Sequence, residues 1–234
     1  MMYIKIKRKK DKYDTSFFQT FLYQGDLKVS VAYVLRELNS RATLLDKDGN
    51  NARRIIWECS CLEKKCGACA MLINGVPRLA CAVFLKELKC KKNTIVLEPL
   101  SKFPVISDLK VDRNILFENM KRMRLWLEDN VSINFSDREY QYQSSRCVMC
   151  GCCLEVCPSF SVKGNFGGAV SMSAAFKLID QSAYGKQRDE LMKKYRKNFF
   201  EGCGKSLSCD KICPIGLPLQ ELLVKSNSAA IWHK

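Results

Sequence analysis

The spacing of the cysteines constrains this chain more than any other feature of its sequence. Fourteen cysteines occur in 234 residues, and they fall into three groups, within residues 59–90, 147–157 and 203–213. No cysteine occurs between residues 91 and 146. This gap predicts two domains, each with its own metal chemistry.

The rest of the composition favours thiolate chemistry. Because His233 is the one histidine, a histidine-based catalytic triad, a histidine-rich metal site and histidine-ligated haem are poor candidates. No apolar run approaches the roughly 18 residues of a membrane span, and none follows the basic N-terminus as in a secretory signal. We therefore expect a reducing cytosolic location, where many cysteines indicate metal ligands. Disulfides are the alternative if the location differs.

The first group has the spacing of a plant-type [2Fe–2S] site. Four residues separate Cys61 from Cys66, two separate Cys66 from Cys69, and eleven separate Cys69 from Cys81. Gly67 lets backbone N–H groups approach the cluster sulfides. A zinc knuckle on Cys66 and Cys69 is the alternative, but zinc sites favour two such close pairs.

The second group has the spacing of a bacterial ferredoxin. Cys147, Cys150, Cys153 and Cys157 are separated by two, two and three residues, and Pro158 follows. In this pattern the first three thiolates bind one cluster and the fourth binds a second cluster. A partner run of cysteines is therefore required.

The third group supplies that partner run, with one cysteine missing. Cys203, Cys209 and Cys213 precede Pro214, and Ser206 occupies the place of the absent ligand. Exchange of the fourth ligands predicts a [4Fe–4S] cluster on Cys147, Cys150, Cys153 and Cys213, and a [3Fe–4S] cluster on Cys157, Cys203 and Cys209. Ligation of a fourth iron by Ser206 is the alternative, although a hydroxyl is a harder and less acidic ligand than a thiol.

Three cysteines are left without a cluster. Cys59, Cys90 and Cys152 are predicted to be small, partly buried thiols. Cys152 adjoins a predicted ligand, so we expect its side chain to point away from that cluster.

The N-terminal part has the pattern of a small sheet gripping one helix, in an α+β fold. Ile4 and Ile6 alternate with lysines, as on a half-buried strand, and residues 15–23 are also strand-like. Ser30 can cap a helix with apolar residues at positions 31, 34, 35 and 38. Asn74-Gly75 marks a hairpin after residues 70–73, and residues 94–97 form a closing strand.

The C-terminal part is predicted to be helical. Leu116, Met120, Met123 and Leu127 share one helix face, Met172, Ala175, Phe176 and Ile179 share another, and Leu219, Leu222 and Leu223 begin a third helix. Residues 100–109 contain Pro104 and little periodicity. The predicted domains are therefore residues 1–100 and 111–234, with a linker at 101–110.

Three clusters in this order resemble the iron–sulfur subunit of the succinate dehydrogenase/fumarate reductase family. The resemblance includes Cys61-Leu-Glu-Lys-Lys-Cys-Gly-Ala-Cys69, Ile73-Asn-Gly-Val-Pro-Arg-Leu-Ala-Cys81, Cys147-Val-Met-Cys-Gly-Cys-Cys-Leu-Glu-Val-Cys-Pro158 and Cys213-Pro-Ile-Gly-Leu-Pro218. It implies an N-terminal β-grasp domain, an α-helical ferredoxin domain, an FAD-containing flavoprotein partner and a membrane anchor. The subunit would then pass single electrons between the flavin and a quinone, without a substrate site of its own.

Two departures from the family pattern bear on the quinone. Many members have arginine and glycine where this chain has Leu62 and Lys64, and the Cys-Leu-Glu form looks like the menaquinone-using branch with a haem b anchor. Ubiquinone-using members also have tryptophan and histidine at places that match Ser161, Val162 and Gly204. The resemblance thus implies menaquinone, held mostly by the anchor, and a peripheral position on the cytoplasmic face of the inner membrane.

The formal net charge of +15 raises the question of an anionic partner. The basic residues at 193–197 favour an anionic membrane surface. We expect no nucleic-acid partner, because the chain lacks a Walker motif and a basic helix with interleaved aromatic residues. A soluble ferredoxin-like carrier is the remaining alternative. The family instead predicts an exposed apolar patch around Phe160–Phe166 and Ile231–Trp232.

Overall fold

The alternating residues at the N-terminus form the first strand of a five-stranded sheet. The computed structural model describes residues 1–89, 91–127, 138–181 and 186–232. Ile4 and Ile6 are buried, while Lys5 and Lys7 are half-buried on the other face. The strands of this sheet are β1 (Met2–Arg8), β2 (Phe17–Tyr23), β3 (Ala70–Ile73), β4 (Val76–Leu79) and β5 (Thr94–Glu98).

The sheet has the order β2-β1-β5-β3-β4 and holds one helix, α1 (Val31–Ser40). β1 is parallel to β5, and the other pairs are antiparallel. Ser30 caps α1, because its hydroxyl accepts a hydrogen bond from the Tyr33 amide. The buried face of α1 includes Leu35 and Leu38, which are fully enclosed. The predicted β-grasp arrangement is confirmed.

The predicted hairpin joins β3 to β4 at Asn74 and Gly75. Both residues have positive φ angles, 50° and 77°, as this tight turn requires. The side-chain oxygen of Asn74 accepts a hydrogen bond of 2.8 Å from the Val96 amide, which ties the turn to the central strand β5. Cys81 follows β4 in a short 3₁₀ turn, Ala80–Ala82.

The segment expected to be a linker belongs to the first of two structural units, Met1–Asp112 and Arg113–Lys234. It contains the short antiparallel strands β6 (Val105–Ser107) and β7 (Lys110–Val111). Between them Asp108 is fully buried beside Arg8, with 3.1 Å between the Arg8 Nε and an Asp108 carboxylate oxygen. The hydrophobic periodicity of the sequence could not predict that this segment belongs to the first unit, because a buried ion pair between residues far apart in the sequence holds it there.

The second unit is helical, as predicted. Its helices are α2 (Asn114–Met123), α3 (Arg138–Ser145), α4 (Cys152–Glu155), α5 (Gly168–Gln181), α6 (Lys186–Tyr195), α7 (Ser208–Ile212) and α8 (Leu219–Trp232), with a π-helical turn at Arg196–Phe200. The α5 residues Met172, Ala175, Phe176 and Ile179 are buried as expected, and α5 packs against α2, α3, α4, α6 and α8.

α2 is shorter than its apolar pattern predicts. It ends at Met123, because Arg124 adopts a left-handed conformation with φ of 53°. Leu127 therefore lies outside the helix and is exposed. A left-handed arginine is not a sequence signal for helix termination, whereas glycine is.

Candidate metal centres

One loop and one turn of the first unit bring together the first four predicted ligands. Cys61, Cys66 and Cys69 lie on the loop that leads into β3, and Cys81 lies on the turn after β4. Cys61 and Cys66 are half-buried, whereas Cys69 and Cys81 are buried. Because β3 and β4 form one hairpin, their outer ends carry Cys69 and Cys81 side by side.

Backbone N–H groups surround the sulfur atoms of this site. The amides of Glu63 and Lys65 each donate a hydrogen bond of 3.3 Å to the Cys61 sulfur. The Lys64 amide donates to the Cys81 sulfur at 3.2 Å, which closes the loop onto the hairpin. Such donors stabilise negative charge on sulfur and tune the potential of a bound cluster.

Left-handed backbone turns these amides inward. Leu62, Lys64 and Gly67 have φ angles of 57°, 64° and 73°. The family's glycine matches the position of Lys64, and the left-handed backbone there gives the physical reason for that preference. For a residue with a side chain this conformation costs about 1–2 kcal/mol.

The pKa values of two thiols on this loop are shifted in opposite directions. The amide of Glu63 is the largest cause that lowers the pKa of Cys61, to about 7. Burial raises the pKa of Cys69 to about 12. Metals bind the thiolate, and Cys61 is the more readily deprotonated thiol of this pair.

Four cysteines of the second unit line one cavity. These are the residues predicted to bind the [4Fe–4S] cluster, Cys147, Cys150, Cys153 and Cys213. The other walls are apolar and include Val170, Ile215 and Leu217. The turn before α4 presents Cys150, with Met149 and Gly151 at φ angles of 51° and 86°. The cavity thus combines soft donors with a low-dielectric surrounding, which fits an iron–sulfur cluster.

Cys152 lies next to this cavity without lining it. It is buried, as predicted, and it is absent from the cavity wall. However, its thiol donates a hydrogen bond to the Cys150 sulfur, and this is the largest cause that lowers the pKa of Cys150 to about 7. Its absence from the cavity wall agrees with the prediction that this side chain points away from the cluster. Sequence spacing identifies ligands, but it gives no signal for a donor behind one.

A second cavity holds the remaining predicted ligands. Cys157, Cys203 and Cys209 line it, and Ser206 lies on the same wall. All three cysteines are half-buried and Ser206 is exposed. The serine thus stands beside the three thiols, at the place where the ferredoxin pattern has its absent cysteine.

Aromatic packing positions this second cavity. Phe166 and Phe199 both line it, and their rings stack with centroids 5.5 Å apart. A Cβ atom on Gly202 would lie 2.8 Å from the Phe166 ring, so the residue before Cys203 must be small. Phe160 is buried and Phe166 half-buried. The expected exposed patch is therefore wrong for Phe160–Phe166, where the apolar side chains face inward.

Of the other two unassigned cysteines, Cys59 is exposed, so the prediction of a partly buried thiol is wrong there, and Cys90 lies outside the described residues. Within the described ranges, no three His, Cys, Asp or Glu side chains converge as they would on one metal ion. A cluster distributes its thiolates over several irons, so they do not need to converge on one point. The helices that the structure describes include none long and apolar enough to cross a bilayer.

Comparison with known proteins places two domain families on these units. Residues 3–118 match the model of a 2Fe-2S iron-sulfur cluster binding domain, and residues 143–217 match that of a 4Fe-4S dicluster domain. The two matches cover all eleven predicted ligands, four in the first range and seven in the second.

Full-length relatives and a solved structure agree with these matches. The chain is 32% identical over 189 residues to the succinate dehydrogenase iron-sulfur subunit of Bacillus subtilis, covering 76% of this chain and 73% of that protein. It is 30% identical over 180 residues to the fumarate reductase iron-sulfur subunit of Wolinella succinogenes, covering 68% and 71%. A chain of the Mycobacterium smegmatis Sdh1 complex shares the fold, with a TM-score of 0.75, 18% identity and coverage of 98% and 95%.

Proposed function

The chain belongs to the family of succinate dehydrogenase and fumarate reductase iron–sulfur subunits, and we propose that eleven of its cysteines hold three clusters for electron transfer. Members of this family are electron-transfer subunits of membrane-bound oxidoreductase complexes. We further propose which cysteines bind each cluster, the type of the third cluster and the identity of the quinone. The proposed role is electron transfer, and the chain has no substrate site of its own in it.

The first cluster is a [2Fe–2S] centre on Cys61, Cys66, Cys69 and Cys81. The match of residues 3–118 to a 2Fe-2S domain supports this centre. The spacing of the four cysteines supports the choice of ligands, and so do the backbone amides directed at Cys61 and Cys81.

The other two clusters divide the seven remaining ligands four to three. One observation carries this division: one cavity is lined by Cys147, Cys150, Cys153 and Cys213, and the other by Cys157, Cys203, Cys209 and Ser206. Four thiolates suit [4Fe–4S], and three suit [3Fe–4S]. Ser206 remains a bystander because a neutral hydroxyl is a poor ligand for iron.

The bound clusters are the one-electron carriers, and the protein groups around them set their environment. Amides near Cys61 and the thiol of Cys152 near Cys150 stabilise negative charge on sulfur. Apolar walls surround the cavity beside Val170, whereas Lys205 and Ser206 add polar groups to the wall of the other cavity. These differences give the chain its means to set different potentials in centres of similar chemistry.

The family supports a flavoprotein partner and a membrane anchor, and the chain's departures from the family pattern support a choice of quinone. We infer menaquinone, a haem b-containing anchor and a peripheral position on the cytoplasmic face of the inner membrane. Leu62 belongs to the Cys-Leu-Glu form that resembles the menaquinone-using branch, and Ser161, Val162 and Gly204 occupy places where ubiquinone-using members have tryptophan and histidine. Of these, Gly204 lies in the wall of the three-cysteine cavity.

The proposal is tested by a redox titration of the anaerobically purified complex, followed by electron paramagnetic resonance (EPR). We expect a [3Fe–4S] signal in the oxidised complex and a [2Fe–2S] signal on reduction. A second [4Fe–4S] centre in place of [3Fe–4S] would overturn the role given to Ser206. A colourless, zinc-loaded protein under strict anaerobiosis would overturn electron transfer altogether.

A further inference from the structure

Two surface features of different chemistry meet at the end of α8. The guanidinium group of Arg196, on the π-helical turn, donates a hydrogen bond of 2.8 Å from its Nε to the carbonyl oxygen of Ala230. A second nitrogen of Arg196 donates to the same oxygen. This contact fixes the turn against the last residues of the helix, where Ile231 is 43% exposed and Trp232 is 78% exposed.

The turn contributes positive charge next to this contact. Lys193 precedes Arg196 by three residues and Lys197 follows it directly, and both lysines are exposed. Lys193 lies three residues before Arg196 and four before Lys197, so it is a neighbour of both on the helix surface. From residue 193 to residue 205 the chain has five basic residues and a single acidic one, Glu201.

The helix contributes exposed apolar surface. Val224 is 59% exposed and lies two helical turns before Ile231, on the same face. No acidic residue occurs in the chain after Glu221. Lysine beside exposed tryptophan and aliphatic side chains is the composition of helices that lie in the headgroup region of a bilayer.

We propose that Lys193, Lys197, Ile231 and Trp232, called here the α8 patch, bind directly to anionic lipid headgroups. The lysines pair with lipid phosphates, and Trp232 enters the interfacial layer. The charge of the patch selects an anionic surface as its occupant, and its two protruding apolar side chains suit a lipid interface. The inference rests on the membrane location in the proposed function, and it adds a contact that does not pass through the anchor.

The experiment measures cosedimentation of the cluster-loaded full chain with vesicles of phosphatidylglycerol and phosphatidylcholine, and with vesicles of phosphatidylcholine alone. We expect binding to the anionic vesicles that weakens with salt. The double substitution Lys193→Gln and Lys197→Gln should weaken it roughly 30-fold, at about fivefold for each lysine. Trp232→Ala should also weaken it. The matched control removes the same charge from exposed lysines of the first unit, through Lys86→Gln and Lys89→Gln.

Three results would overturn the proposal. The first is no binding to anionic vesicles, and the second is an equal loss from both double substitutions, which would mean general attraction by the +15 charge. The third is that Lys193→Gln with Lys197→Gln weakens copurification with the anchor while vesicle binding is unchanged, which would assign the α8 patch to a protein partner. The EPR signals of the same samples report the clusters, so failure of the patch is distinguishable from failure of the proposed function.

Discussion

Replacing Asp108 with alanine is expected to destabilise the first unit by about 3–5 kcal/mol, the usual cost of leaving a buried charge without its partner. The side chains of Asp108 and Arg8 are both fully buried. Without the carboxylate, Arg8 keeps hydrogen bonds to the carbonyl oxygens of Arg53 and Arg54 at 2.9 and 3.1 Å. These acceptors are neutral, so they cannot compensate the charge. Burial already lowers the pKa of Arg8, and Asp108 is the neighbour that opposes this shift.

The reverse substitution, Arg8→Met, should cost less, about 1–3 kcal/mol, from the hydrogen bonds lost by buried acceptors. Asp108 would keep the amides of Lys9 and Ile56, each at 2.9 Å. It would also keep the guanidinium group of Arg53, at 2.6 Å. Asp108 therefore keeps several hydrogen-bond donors, including a second cation, when Arg8 is removed. Arg8 loses the anion that compensates its charge when Asp108 is removed.

The measurement is hydrogen exchange of the β1 amides in the full chain, which reports the opening free energy of the first unit. Asp48→Ala serves as the control, because its ion pair with Lys47 is exposed and should contribute within about 0.5 kcal/mol. A loss below about 1 kcal/mol for Asp108→Ala would refute the argument from buried charge. A larger loss for Arg8→Met than for Asp108→Ala would refute the asymmetry.

Three further predictions concern the metal centres and their support. Ser206→Cys should replace the oxidised-state [3Fe–4S] EPR signal with that of a reduced [4Fe–4S] centre. Ser206→Ala should leave the spectrum unchanged. The opposite result, an altered spectrum for Ser206→Ala and an unaltered one for Ser206→Cys, would identify the serine as a ligand. Gly168→Ala should destabilise the second unit by more than about 2 kcal/mol in urea unfolding, because its Cβ would overlap Leu154 and φ is +64°. Gly216→Ala, with φ of +70° in open space, isolates the smaller backbone cost, and equal losses would contradict the overlap. In the iron-free chain, alkylation of Cys61 should rise with pH to half its maximum near 7, because the thiolate is the reactive form. A midpoint at the ordinary thiol value of 9.0 would contradict the role of the loop amides.

The sequence by itself determined the α+β fold, with a 2Fe-2S domain followed by a 4Fe-4S dicluster domain. Cysteine spacing carries this information because a cluster fixes how many residues lie between its ligands. The period-2 pattern of β1 and the cap at Ser30 predicted their elements correctly, since both depend on neighbours in the chain. Assignment of each ligand to its cluster remains the prediction that EPR tests.

The tertiary structure alone decided features that depend on residues far apart in the sequence. Asp108 meets Arg8 across 100 positions, which makes residues 101–112 part of the first unit, and no local pattern announces such a pair. Cys152 lies outside the cavity wall and yet lowers the pKa of Cys150, which the spacing of the cysteines did not indicate. The contact of Arg196 with Ala230 likewise joins a basic turn to an apolar helix end. Periodicity records which face of one element is buried, whereas only the assembled fold determines what that face meets.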